Sequence, residues 1–285
     1  MCVPGTVEIV RARLEAHPQP QIEPRRVSRR AALLAATGTA LAATVPSRAF
    51  GRRGSSSGSK VADLTHTFSE EFPLFPGVPP ISRTTLVTVP DNGFYGQRWT
   101  LFEHACTHMD APAHFVVNGR TVTQLRVSEL VAPVVVINIA NRAATDPDTV
   151  VTPADLRAFE RRHGRIPRGA LVCMHSGWEE RAGSVEAYRN IDANGVLHFP
   201  GFGKPAVDWL LAERDIRGIG VDTMSLDRGS SPTFDVHSTL LPADRYGIEN
   251  LRGLAAIPPR GATMYVGVIP WRDGSGGPCR AFAAW

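Results

Sequence analysis

The sequence predicts an α/β fold: a single domain with a mixed β-sheet and outer helices. Three observations predict it. Nearly continuous β-branched apolar runs recur along the chain, as strands buried on both faces require. In the second half these runs alternate with capped, amphipathic helical segments. The 26 Gly and 23 Pro punctuate both with turns. Hydrophobic residues make up 43% and charged residues 20% of 285, an ordinary composition for a globular domain with a real core.

The elements follow in chain order. Residues 1–59 carry nine Arg and three Glu. A basic stretch ending in Ser28, Arg29 and Arg30 precedes a modest apolar run over 31–45, and Ser47-Arg48-Ala49 follows. That order is the order of an export signal over residues 1–49, and the arginine pair resembles a twin-arginine signal. The apolar run is too short and too rich in Ala and Thr for a membrane span, so no stable membrane insertion is expected. "GRRGSSSGSK", 51–60, reads as part of a flexible linker over 50–60, and the folded domain is expected over 61–285. Strands are predicted at 84–89 and 97–102, then at 131–140, where "VAPVVVINIA" is almost wholly apolar. Thr152 is an N-cap, Pro153 fits the first helical position, and Gly164 ends that helix. "ALVCMHS", 170–176, is another strand, 204–215 an amphipathic helix, and 216–222 and 262–268 are strands.

Charge excludes one function class. The sequence pI of 9.1 comes from the first 59 residues, whose net charge is +6; the rest of the chain is −2. The folded body has no basic excess for nucleic acid. Cysteine gives little: Cys106, Cys173 and Cys279 are an odd set at wide spacing, which implies no disulfide framework.

The chemistry concentrates in "EHACTHMDAPAHF", 103–115. His104, His108, Asp110 and His114 are separated by even offsets. On a helix Asp110 would point far from His104, and Pro112 would break it. On an extended chain all four share a side. The spacing therefore predicts a strand or strand-to-loop segment that presents a metal site. It is not the helical zinc-protease motif, because Ala105 stands where that motif needs Glu. It is not a zinc finger, because no Cys-x-x-Cys pair exists. Two His and one Asp suit Zn²⁺ or Mn²⁺ and leave a position for water. A second stretch, 220–251, holds Asp222, Asp227, Asp235, His237 and Glu249; its spacing alone is a weak signal.

"HACTHMDAPAH" resembles the His-x-Gly-Thr-His-x-Asp-x-Pro-x-His signature of the cyclase family, which includes bacterial kynurenine formamidases and isatin hydrolases. "DLTHTFSEEFPLFPGVP", "GIGVDTMSLDRGSS", "DVHSTLL", "GIENL" and "GSGGPCRAFA" extend the resemblance over most of 61–284. The resemblance implies a swivelling β/β/α fold, a homodimer and a divalent metal, Zn²⁺ or Mn²⁺, one or two per subunit. It implies His104, His108 and Asp110 as ligands of one ion, and Asp110, His237 and Glu249 as ligands of a second. His114 would be the general acid/base and Phe75 would contact substrate, where the formamidases carry Trp. Cys106 stands in place of the signature's Gly and is expected to pack, not to ligate. The implied activity is metal-dependent hydrolysis of an amide, cyclic amide or lactone of a small molecule. A dehydrating cyclase or lyase is one alternative. A non-catalytic metal- or ligand-binding protein is the other, and it would need no free base such as His114.

Overall fold

The structure, a computed structural model, describes residues 60–285. The export signal expected at 1–49, and the linker at 50–60 except for Lys60, lie outside the described residues.

The strands are β1 Val61–Asp63, β2 Ser82–Val87, β3 Gly96–Thr100, β4 His108–Asp110, β5 Val131–Asn138, β6 Val150–Val151, β7 Leu171–His175, β8 Gly201–Phe202, β9 Gly218–Val221, β10 Tyr246–Glu249, β11 Arg260–Val268 and β12 Gly276–Ala284. Eight of them form one mixed sheet in the order β1-β12-β11-β5-β7-β9-β10-β4. Its centre, β5-β7-β9-β10, is parallel. Its flanks are antiparallel. Strand β4 also pairs with β12, so the sheet closes on itself like a barrel. The predicted mixed α/β single domain is the observed one. The hairpin β2–β3 stands apart as its own two-stranded sheet.

Period-two alternation explains the continuous apolar runs. In β5, Val134 and Val136 face the core inside the closed sheet, with Leu171, Ile248 and Met264. Val135 and Ile137 face the other way. That outer face is covered by helices α1 Pro153–His163 and α2 Lys204–Glu213 through Leu156, Phe159, Val207 and Leu210. Helix α1 begins and ends as its sequence requires: Thr152 Oγ1 accepts from the Asp155 amide, Pro153 opens the first turn, and Gly164 follows at φ 84°.

A third apolar cluster underlies the loop 72–81. Phe72, Leu74, Ile81, Cys106, Trp178, Tyr188, Phe199 and Met224 pack there. The three cysteines, 106, 173 and 279, are free and buried.

Candidate metal centre

Strand β4 sets the centre. It is three residues long and is paired on both sides: His108 lies opposite Glu249 of β10 and Pro278 of β12, and Asp110 opposite Gly247 and Gly276. The register thus places a carboxylate beside an imidazole without any loop. Gly276 is needed for packing: a Cβ there would sit 2.4 Å from His104 Cε1 and 2.5 Å from the Met109 carbonyl oxygen. His237 opens the short helix α3, His237–Leu240.

The extended path expected through His104 to His114 holds only over β4. His104 lies in a loop, where Cys106 takes the left-handed region at φ 55°. His114 closes the 3-10 turn Pro112–His114. Proline's fixed φ and missing N–H start that turn and end the strand. The four side chains still converge, by a bend on each side of β4 instead of by strand parity.

Two ligand groups result, His104, His108 and Asp110, and Asp110, His237 and Glu249. The ligand atoms of each group lie within 4.8 Å of one another. Asp110 is divided between them. Its Oδ1 is 2.7 Å from His104 Nδ1 and 3.3 Å from His108 Nε2, and its Oδ2 is 3.5 Å from His237 Nε2. Glu249 also straddles, with Oε2 3.3 Å from His108 Nε2 and Oε1 3.1 Å from His237 Nε2. His108 Nδ1 lies 2.8 Å from the Cys106 carbonyl oxygen, which also accepts from Asn250 Nδ2.

The donor set fits a divalent cation. Asp110 is 1% exposed and its Oδ2 has no hydrogen-bond partner. A buried carboxylate oxygen left unpartnered is costly unless a positive charge satisfies it. The electrostatics agree. Burial would raise the Asp110 carboxyl, but His108, His104 and His237 hold it well below its usual range. Burial would lower His104, but Asp110 and Glu103 raise it to about 9. Burial would likewise lower His237, which Asp110, Asp227 and Glu249 raise well above the ordinary value. Mixed N and O ligands suit Zn²⁺ or Mn²⁺ better than Ca²⁺.

His114 stands outside both groups. Its ring stacks on His104 at 3.8 Å between centroids and 25° between planes. Burial, then the neighbouring His104, holds it well below the usual histidine value. It is a neutral base at pH 7, although Asp110 pulls the other way.

A cavity opens onto both groups. Pro73, Leu74, Phe75, Pro76, Val78, Phe102, Met224 and Cys106 give it apolar walls, while His104, His108, His114, His237 and Glu249 form its polar end. Phe75, which the resemblance implied as a substrate contact, lines this cavity and meets Phe234 edge-on at 6.5 Å. Cys106 is 1% exposed and belongs to the apolar cluster, not to either ligand group. Of the acidic residues in 220–251, Asp222 instead accepts from the Ser176 amide and hydroxyl and from the Gly177 amide. Composition did not reveal Asp227, Glu103 and Ser275, which bind ligand imidazoles or support them. Asp227 stood in the 220–251 stretch without a role, and Glu103's adjacency to His104 was the one other signal.

The family model Cyclase, described as "Putative cyclase", matches residues 62–228. The chain is 35% identical over 203 residues to an isatin hydrolase of Roseibium aggregatum, covering 68% of this chain and 76% of that one. It is 27% identical over 222 residues to a kynurenine formamidase of Geobacillus thermodenitrificans, covering 77% and 94%. Its structure matches isatin hydrolase A of Ralstonia solanacearum with a TM-score of 0.75 and 34% identity, over 79% of this chain and 92% of that one. Two carboxylate-bridged ligand groups at the foot of an apolar cavity agree with these likenesses: the chain belongs to the cyclase family and is a metal-dependent hydrolase.

Proposed function

We propose that this chain, an amide hydrolase of the cyclase family, opens a small, flat, apolar amide: a ring-fused cyclic amide of the isatin kind or an aryl formamide. One observation carries the reading. The apolar cavity ends directly on the two ligand groups, with a neutral His114 beside them.

His104, His108 and Asp110 would hold one divalent ion, and Asp110, His237 and Glu249 a second. Such an ion supplies Lewis acidity and lowers the pKa of a water from about 16 toward about 7. The rest falls to the chain. Phe75, Phe102 and Met224 hold the flat part of the substrate and exclude bulk water from the carbonyl. His114 takes the proton of the attacking water at an imidazole nitrogen. It then returns that proton to the departing amide nitrogen, which leaves poorly without it. The Ser275 hydroxyl, 2.8 Å from His104 Nε2, keeps the His104 ring oriented.

The test is turnover of isatin, a formanilide and an aryl lactone by the protein loaded with Zn²⁺ or with Mn²⁺. Hydrolysis of an amide is expected. Loss of water from a substrate, or no turnover of any member with either ion, overturns the reading.

Two further proposals concern assembly and location. The hairpin β2–β3 and the turn between its strands expose Leu86, Phe94 and Tyr95 at 49%, 56% and 59%. Apolar side chains so exposed on a projecting hairpin support a homodimer. Light scattering of a Phe94→Asp variant is expected to show monomer. Export rests on the basic, apolar, small-residue order of 1–49, and Lys at both Arg29 and Arg30 is expected to retain the protein inside the cell.

A further inference from the structure

The three ligand imidazoles are held differently at the nitrogen turned away from the ion positions. His108 Nδ1 meets a neutral carbonyl, that of Cys106. His104 Nε2 meets the Ser275 hydroxyl, with the Glu103 carboxylate farther off at 3.7 Å. His237 alone has a carboxylate directly on that nitrogen: Nδ1 is 2.6 Å from Asp227 Oδ2. Asp227 is 2% exposed and does more than bond the ring. It also accepts from the backbone amides of Val236 at 2.8 Å and His237 at 3.2 Å. Ring edge and backbone are therefore pinned by one side chain.

The face of the same ring is covered as well. Phe115 stacks on His237 at 4.8 Å and 25°. Phe115 directly follows His114, which stacks on His104. Two consecutive rings leaving one 3-10 turn thus each lie flat on an imidazole of a different ligand group.

We propose that Asp227 and Phe115 are positioning residues for the second ion position. Together they fix the tautomer and plane of His237, so that its Nε2 lone pair faces Asp110 Oδ2 and Glu249 Oε1. This rests on the two-ion reading above. A carboxylate on the far nitrogen also makes an imidazole a better donor. The second position is therefore assembled on an imidazole whose orientation is set before any ion arrives, although none of its ligands but Asp110 comes from the local motif.

The test uses the full chain and Mn²⁺ alone, titrated by calorimetry into metal-free protein. Wild type is expected to bind two ions. Asp227→Ala is expected to weaken the second about 10- to 100-fold and to leave the first unchanged. Asp227→Asn keeps an acceptor without its charge and is expected to fall between. Phe115→Leu stays apolar but loses the flat face and is expected to weaken the second ion about 2- to 10-fold. A general packing role would lower Tm or weaken both ions alike. Two ions in wild type with unchanged second affinity in Asp227→Asn and Phe115→Leu overturns the inference and spares the two-ion reading. One ion in wild type overturns that reading and the inference with it. Should Asp227→Ala not fold, the Asn and Leu variants decide alone.

Discussion

Asp110 and Asp222 are the same residue with the same burial, 1% and 0% exposed. Both lie where strands of the main sheet end. Asp222 follows β9, and its two carboxylate oxygens take three donors: Ser176 Oγ at 2.6 Å and the amides of Ser176 and Gly177, each at 2.8 Å. Asp110 ends β4, and its Oδ2 has no donor at all. It faces instead an imidazole nitrogen whose far side is already pinned. A buried charge surrounded by N–H and O–H groups ties loops together. A buried carboxylate oxygen left without a partner, at the meeting point of imidazoles and a second carboxylate, calls for a cation. Burial alone does not distinguish the two; the unpartnered oxygen does.

The largest effect expected from breaking the comparison is at Asp110. Asp110→Asn keeps the shape and removes the charge shared by both ligand groups. Bound metal is expected to fall for both groups and turnover to fall by more than about 10⁴, past the scale of one lost proton-transfer group. Normal metal content in that variant would make Asp110 a structural residue like Asp222.

Next is His114, which shares the centre without belonging to a ligand group. His114→Ala is expected to keep its metal and lose about 10²–10⁴ in turnover, whereas His108→Ala loses metal. Equal metal loss in the two variants would turn His114 into a ligand.

The third effect is on pH dependence. Asp110 and Glu103 raise His104 to about 9, so its proton must leave before an ion can bind. Affinity at the first position is therefore expected to fall about tenfold for each pH unit below about 9, until other ligands protonate, and to level off above it. A flat affinity between pH 6.5 and 9 would contradict this.

The smallest effect on chemistry, and the clearest on stability, is at Asp222. Asp222→Ala strands three buried donors and is expected to cost about 3 kcal/mol in unfolding. Metal content should hold at temperatures where the variant stays folded. Metal loss without any fall in Tm would erase the distinction between the two aspartates.

The sequence revealed some of this and concealed the rest for identifiable reasons. Strands β5, β7 and β9 were legible because both faces are buried over most of their length, which makes the runs continuous; β11 was legible from its apolar residues although it alternates buried and more open positions. Helix α1 was legible because its caps are local. Strand β12 was not: "GGPCRAFAA" has two glycines, a proline and small residues, and its strand character comes from pairing with β4, β11 and β1. Strand β4 is too short to announce itself. The first ligand group is compressed into seven residues, so spacing alone pointed to a metal. The second depends on β10 and α3 meeting β4, and only the family resemblance placed His237 and Glu249 there. The parity argument was correct only for His108 and Asp110; Pro112 and the left-handed Cys106 turned the chain on either side. Asp227 bonds His237 across ten residues through a loop, a relation that no period encodes.

The closing pair β4–β12 has a consequence for how the protein is made. His104 and Ser275 meet across 171 positions, and β12 is the last of the described strands in sequence order. Until β12 is made, β4 lacks one of its two partners, and β1 waits for the same strand. Contacts this distant in the chain form late and slowly. Ion loading at both groups is therefore expected to wait for the pairing of β12 with β4. A nascent chain stalled before Gly276 would leave two strand edges bare, and bare edges invite pairing between molecules. A reporter for aggregation in a cell making residues 1–275 should show insoluble protein, whereas removing only Trp285 should not.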